Sequence, residues 1–188
     1  MKTVIVGDCL NYPDTSHKVY VTPHVCNDIG GWGSGFVVAI SNKYNEPEMA
    51  YRKWYKEKLF HQFNKDVPFG LGEVQLINVE KNVFIANMIA QHNTIKNSQK
   101  PIRYRHLVHC MYTVGVFCKK YKTIINNKLV INKKPPIDNP VEIRCPLFGS
   151  GLAGGSWDFI DELIEEIWIT EFNIPVTVCV LSQKEIPK

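Results

Sequence analysis

Residues 24–40 read HVCNDIGGWGSGFVVAI, an apolar strand-like run that breaks into a glycine-rich turn and feeds straight into a helix. The pattern recurs at residues 145–157, CPLFGSGLAGGSW. Glycine lets backbone amides approach an anion closely, and the helix that follows aims the positive end of its dipole at the same place. In open α/β sheets such turns gather at the carboxyl ends of strands, where ligands bind. Two of them in one chain point to a diphosphate-sized anion. Neither has the G-x-x-x-x-G-K-[ST] spacing of a triphosphate loop. Residues 149–154 (GSGLAG) do have the G-x-G-x-x-G spacing, but the strand that follows at residues 175–181 does not end in the acid of a dinucleotide site, so the common nucleoside-triphosphate and Rossmann sites do not apply.

Outward from these turns, short apolar runs alternate with amphipathic ones. Residues 2–6 (KTVIV) and 18–26 (KVYVTPHVC) read as strands and residues 34–44 as a helix. Pro47, at the favoured first position, opens a second helix over residues 47–60. Residues 73–79 and 82–90 pair as strands around a tight turn at Glu80 and Lys81. Leu107, Val108, Met111, Val114 and Phe117 share one helical face within residues 102–120. Residues 141–146 make another strand. A helix follows over residues 156–172, with Ser156 as N-cap and a stripe of Trp157, Ile160, Ile164, Ile167 and Trp168. Residues 175–181 form the last strand, ahead of a polar tail at 182–188. This order predicts α/β layers with helices on both faces of one sheet.

A chain of 188 residues, 45% hydrophobic, has room for one domain with a substantial core. Lysine plus arginine is 22 against 18 acidic residues, a net +4 too mild to announce a nucleic-acid binder. Six of the lysines fall within residues 119–134, read as a loop or hairpin insertion extending to residue 140. A single aromatic, Tyr121, falls among them, short of the repeated interleaving that stacks bases, so a solvated excursion is expected and a nucleic-acid partner is not. No apolar run approaches the roughly 20 residues that span a bilayer, and MKTVIVGDCLNY lacks a signal-peptide pattern. A cytoplasmic monomer is expected. The six cysteines form no C-x-x-C pair and sit beside apolar residues, as buried thiols of a reducing compartment do. His106 and His109 are spaced for one helical face but have no matching second pair, so no metal is expected.

Taken together, GDCL (residues 7–10), HVCNDIGGWGSGF (24–36), NVFIANMIAQHNT (82–94), PIRYRHL (101–107) and CPLFGSGLAGGSW (145–157) resemble the macrodomain family. The motif order holds from about residue 3 to residue 181. The chain is most similar to the branch containing terminal ADP-ribose glycohydrolases and yeast-type ADP-ribose-1″-phosphate phosphatases. The resemblance implies a three-layer α/β/α fold, a mixed and mostly parallel six-stranded sheet, and ADP-ribose in a cleft at the strand ends, without a cofactor. It implies that Asp8 accepts from the adenine amine, beside the Cys9 backbone and Leu10; an Asx turn is the alternative use of that carboxylate. Gly33, Ser34, Gly35 and Phe36 would form the first phosphate loop. Gly149, Ser150, Gly151, Leu152, Ala153 and Gly154 would form the second, around the diphosphate and distal ribose. Cys26 and Asn27 would stand near that ribose. Trp32 is similar to the phosphatase branch and reads equally as a hydrophobic anchor.

The chain departs from the glycohydrolases at two places. Gln91 and Ala153 stand where those enzymes carry a lysine and an aspartate, so attack by an amine on the anomeric carbon has no residues to perform it. His24, Asn27, Asp28 and His92 remain near the distal end. Phosphate-monoester hydrolysis needs charge stabilisation, a water or histidine nucleophile and a proton donor. His92 suits attack or protonation, Asp28 suits positioning water, and His24 is the alternative histidine. The expected activity is hydrolysis of ADP-ribose 1″-phosphate. The alternatives are a non-catalytic reader of ADP-ribose or ADP-ribosylated macromolecules, protein among them, and a de-ADP-ribosylating hydrolase lacking the Lys/Asp pair.

Overall fold

The computed structural model describes residues 1–94, 100–120, 124–125, 128–129 and 140–187. In chain order these form β1 (Lys2–Val6), β2 (Val19–Asn27), α1 (Phe36–Lys43), α2 (Glu46–Glu57), β3 (Leu59–Gln62), β4 (Lys65–Pro68), β5 (Val74–Glu80) and β6 (Val83–Gln91). Then come α3 (Tyr104–Lys120), β7 (Ile124–Ile125), β8 (Lys128–Leu129), β9 (Val141–Cys145), α4 (Trp157–Leu163), a π-helical continuation Ile164–Glu171, and β10 (Val176–Val180). Six strands make one sheet in the order β1-β10-β9-β2-β6-β5. All neighbours are parallel except β5, which runs antiparallel to β6 at the edge.

Burial follows from that topology. The central strands β2 and β6 are buried along nearly their whole length, as strands covered on both faces must be. Pro23 is tolerated in β2 because pairing with β9 ends at Val21. One face packs on α3, α4 and the π-helical segment through residues such as Ala86, Met88, Leu107, Met111, Ile160 and Trp168. The opposite face packs on α1 and α2 through Ile40, Tyr51, Trp54, Ile85 and Ile89. The predicted three-layer α/β/α architecture is therefore the observed one. Among the described residues no helix is long and apolar enough to cross a membrane.

Two elements differ from the sequence reading. The second helix does not reach residue 60: it ends at Glu57, Lys58 turns left-handed (φ 62°), and Leu59 and Phe60 begin a hairpin. Phe63 and Asn64, both with positive φ, make its two-residue turn. Gln62 then reaches across, its Nε2 donating to the Val74 carbonyl (2.8 Å) and its Oε1 accepting from the Leu76 N–H (3.0 Å), which covers part of the exposed β5 edge. The last helix keeps its predicted stripe, with Ile160, Ile164, Ile167 and Trp168 buried. It widens into a π-helix after Leu163, closed by the Phe172 N–H on the Ile167 carbonyl (3.0 Å), and Trp168 Nε1 donates to the Met111 carbonyl (2.8 Å). Within the 119–140 segment the described backbone pairs Ile124 with Leu129 and Ile125 with Lys128. The rest of the loop-or-hairpin expectation lies outside the described residues.

Candidate functional site

The carboxyl ends of β2, β6 and β9 open onto a cleft of about 820 Å³, within the size range of small-ligand sites. The two glycine turns form opposite walls. Gly35 caps α1 at φ 76°, ψ −147°, a conformation that essentially only glycine adopts, with no side chain covering the first amides of the helix. The second turn folds back on itself through Gly154 N–H to Gly151 O (2.9 Å) and Gly155 N–H to Gly149 O (2.8 Å). A Cβ on Gly155 would stand 2.6 Å from that Gly149 oxygen, so the loop closes only with glycine there. The loops meet across the cleft, where the Leu152 Cδ1 comes within 3.3 Å of the place a Gly35 Cβ would occupy.

The lining contains no Asp, Glu, Lys or Arg among the described residues. It offers amides instead. The N–H groups of Gly33, Ser34, Gly35, Gly149, Gly151 and Leu152 find no acceptor among the described residues. Unpaired N–H groups converging from two loops, beside the α1 N-terminus, make a site for an anion without a single cationic side chain.

Asn27 holds the first loop in shape. Its Oδ1 accepts from Gly31 N–H (2.8 Å) and Ile29 N–H (3.2 Å), its Nδ2 donates to Gly31 O (2.7 Å), and Tyr51 OH donates to its carbonyl (2.5 Å). Trp32 lines the cleft while its Nε1 donates to Ser41 Oγ (2.8 Å), whose hydroxyl donates to Glu48 (2.7 Å). Ligand wall and hydrophobic anchor are here one residue. Thr94 and Pro146, which fall within the quoted motifs without an assigned role, and Tyr51, which lies outside them, also belong to this neighbourhood.

His24 forms the floor. It is 2% exposed, lies edge-on to Trp32 (5.4 Å), and pairs through Nε2 with Asn87 Oδ1 at 2.6 Å. Asn87 Nδ2 is committed to the Pro47 carbonyl and Gln75 Oε1, both 3.1 Å away, and Gln75 Nε2 donates to the Ala50 carbonyl (3.1 Å). These acceptors fix the direction of the whole chain, so His24 carries its proton on Nε2 and its Nδ1 accepts from the Cys26 thiol (3.7 Å). Burial, only partly offset by the Asn87 bond, pushes its pKa down to about 4 and keeps the ring neutral. Cys26, in the cleft wall, has its thiol pushed well above the usual value by burial and is chemically quiet.

Asp28 and His92 come together. Asp28 Oδ2 lies 2.7 Å from His92 Nδ1, and its Oδ1 accepts from the Asn93 N–H (2.8 Å), so the carboxylate orients the ring. Neither residue lines the cleft, whereas Gln91 and Thr94, which flank them in sequence, do. Asp8 lies after β1, outside the cleft lining, with Oδ1 accepting from the Leu10 N–H (2.9 Å) in an Asx turn. Cys9 and Leu10 behind it are buried. His106 and His109 both flank Gly72, and among the described residues no three His, Cys, Asp or Glu side chains group as metal ligands.

No family model and no curated protein matches this chain. Solved structures do. A protein of unknown function from Bacteroides thetaiotaomicron is 38% identical over 96% of this chain and 98% of its own, with a TM-score of 0.75. A macrodomain protein from Streptomyces coelicolor is 33% identical over 96% of this chain and 99% of its own, with a TM-score of 0.70. This chain belongs to the macrodomain family. A mutant Oceanobacillus iheyensis macrodomain solved with ADPR is 17% identical, covers 96% of this chain and 85% of its own, and shares the macrodomain fold at a TM-score of 0.60. In the present macrodomain the two glycine walls, Asn27, Gln91 and Ala153 meet around one cleft. The Asp28–His92 pair stands beside it.

Proposed function

We propose that this macrodomain binds ADP-ribose in the cleft between its two glycine loops and hydrolyses ADP-ribose 1″-phosphate to ADP-ribose and phosphate. One observation carries the binding part: unpaired amides converge from both loops into a lining free of charged side chains. A diphosphate satisfies those donors, and the apolar parts of Trp32, Phe36 and Leu147 suit the sugar and base faces. In this reading Gly33, Ser34, Gly35 and Phe36 hold one phosphate, the Gly149 to Gly154 turn holds the other and the distal ribose, and Asp8 receives the adenine amine on its free Oδ2. The Oceanobacillus structure solved with ADPR supports the ligand class by likeness of fold.

For the chemistry, a carboxylate can only accept, so the 2.7 Å bond places a proton on His92 Nδ1 and turns Nε2 outward. That nitrogen takes a proton from the water attacking phosphorus and returns it to the ribose 1″ oxygen as the P–O bond breaks. His24, buried and neutral, supports the floor. The position of Asp28 and His92 outside the lining favours a second reading, a monomeric reader of ADP-ribose or of ADP-ribosylated protein in the reducing cytoplasm, where six buried thiols persist. Phosphate release from ADP-ribose 1″-phosphate decides between them. The wild type should turn over, and His92→Ala and Asp28→Ala should each lose roughly 10²–10⁴-fold. Turnover unchanged in both variants removes the assignment of these residues, and binding without turnover in the wild type leaves the reader.

A further inference from the structure

Asp28 and His92 stand beside the cleft and not in its lining, and the backbone that joins them to its wall is irregular. β2 and β6 run in register until Cys26 faces Ile89; Asn27 then faces Gln91, so Ala90 has no opposite residue. An extra residue of this kind re-aims the side chains beyond it. Gln91 and Thr94 enter the cleft lining, His92 does not, and Asn93 takes the left-handed conformation at φ 61°. A ring of hydrogen bonds holds this turn. Gln91 Nε2 donates to the Asn93 carbonyl (2.7 Å), the Asn93 N–H donates to Asp28 Oδ1 (2.8 Å), and Asp28 Oδ2 accepts from His92 Nδ1 (2.7 Å). The Asp28 N–H returns to the Gln91 carbonyl (2.9 Å), closing the ring on the residue where it began. A carbonyl can only accept, so the Gln91 carboxamide turns its NH2 end toward Asn93. Among the described residues, Gln91 is the cleft-lining residue whose side chain belongs to this ring.

We infer that Gln91 is a positioning residue for His92. By holding the Asn93 carbonyl it fixes the left-handed turn that aims the Asn93 N–H at Asp28, and Asp28 in turn fixes the imidazole. Without that donor Asn93 is free to leave a conformation that side-chain-bearing residues visit at a cost. Its N–H then swings away from Oδ1, and the carboxylate loses the bond that sets its own orientation. The wall that receives the ligand and the pair that acts on it are held as one unit through this side chain. The inference deepens the phosphatase reading and rests on it; Gln91 acts through His92 and not on the reacting atoms.

Nitrogen-15 NMR of the histidine rings in wild type, Q91M and Q91E, recorded above the imidazole titration range, tests this together with kinetics on ADP-ribose 1″-phosphate. The His92 signals are assigned by their loss in H92A. Q91M keeps the length of the side chain and removes its donor; Q91E keeps the shape and puts an acceptor where the donor was, and it serves if Q91M does not fold. Wild type should hold His92 in the Nδ1–H form, and both variants should pass a large part of it to the Nε2–H form that an unheld imidazole prefers. Their kcat should fall roughly 10- to 100-fold with KM within about threefold of wild type. A packing role would lower the melting temperature and leave the tautomer in place. His92 kept as Nδ1–H in the folded variants overturns the proposal, as does an altered tautomer with kcat unchanged. If the wild type binds ADP-ribose but releases no phosphate, the phosphatase reading falls, and the tautomer alone then decides whether Gln91 holds the ring.

Discussion

Acidification should weaken this protein in a way that traces to His24. In the folded state its ring is sealed beneath the cleft with its pKa pushed down to about 4 from 6.5. In the unfolded chain it titrates near the ordinary value. Between those two values the unfolded state binds a proton that the native state refuses, so stability rises with pH. The His24 contribution is complete above about pH 6.5 and drains away as the pH falls toward about 4. At about 1.4 kcal/mol per pH unit, that interval amounts to about 3 kcal/mol, a large part of the stability of a domain this size. Urea unfolding measured from about pH 7 to about pH 4.5 reads it directly as a slope near one proton. His24→Gln keeps a donor for Asn87 without a titrating group, so its acid limb should be flatter by about that one proton even if its stability at neutral pH is lower. Equal slopes in the two proteins would refute the reasoning, because the ring would then be protonated in the native state and the Asn87–Gln75 relay would not fix its form.

Further outcomes follow from the walls of the cleft and the seam behind it. Gly35→Ala forces a Cβ onto φ 76° beside Leu152, at a strain of about 1–3 kcal/mol, and should weaken ADP-ribose binding by roughly 5- to 100-fold in calorimetry. Gly151→Ala, where a Cβ meets nothing within 4 Å and φ is not positive, should leave the melting temperature within a degree or so of wild type. On the far face, Gly115→Ala places a Cβ 2.5 Å from the Phe172 ring, and the overpacking should cost about 1–3 kcal/mol in urea unfolding despite the better helix propensity of alanine.

Much of this architecture was legible because its signals are local. The two turns could be read from residues 24–40 and 145–157 because glycine, strand and helix lie consecutively, and the stripe from Ile160 to Trp168 keeps helical spacing. The π-helical register after Leu163 was not legible, since the same stripe suits either helix. The hairpin at residues 59–68 was hidden by Leu59 and Phe60, which extend the helical pattern of α2, although Asn64 in a two-residue turn was a usable sign. His24, Asn87 and Gln75 come from three strands and read in sequence as unremarkable strand residues. Their relay exists only once β2, β6 and β5 are side by side. Asp28 and His92 were named from the sequence for separate roles, and their direct contact, held by the further bond from Asp28 to the Asn93 N–H, is something no spacing rule encodes.

Titration of the wild-type protein with ADP-ribose by calorimetry tests the central claim most directly. Donors from two loops with no protein acceptor predict a saturable single site, with ADP or ribose 5-phosphate bound more weakly because each fills only part of the cleft. No measurable heat up to millimolar ligand would contradict it.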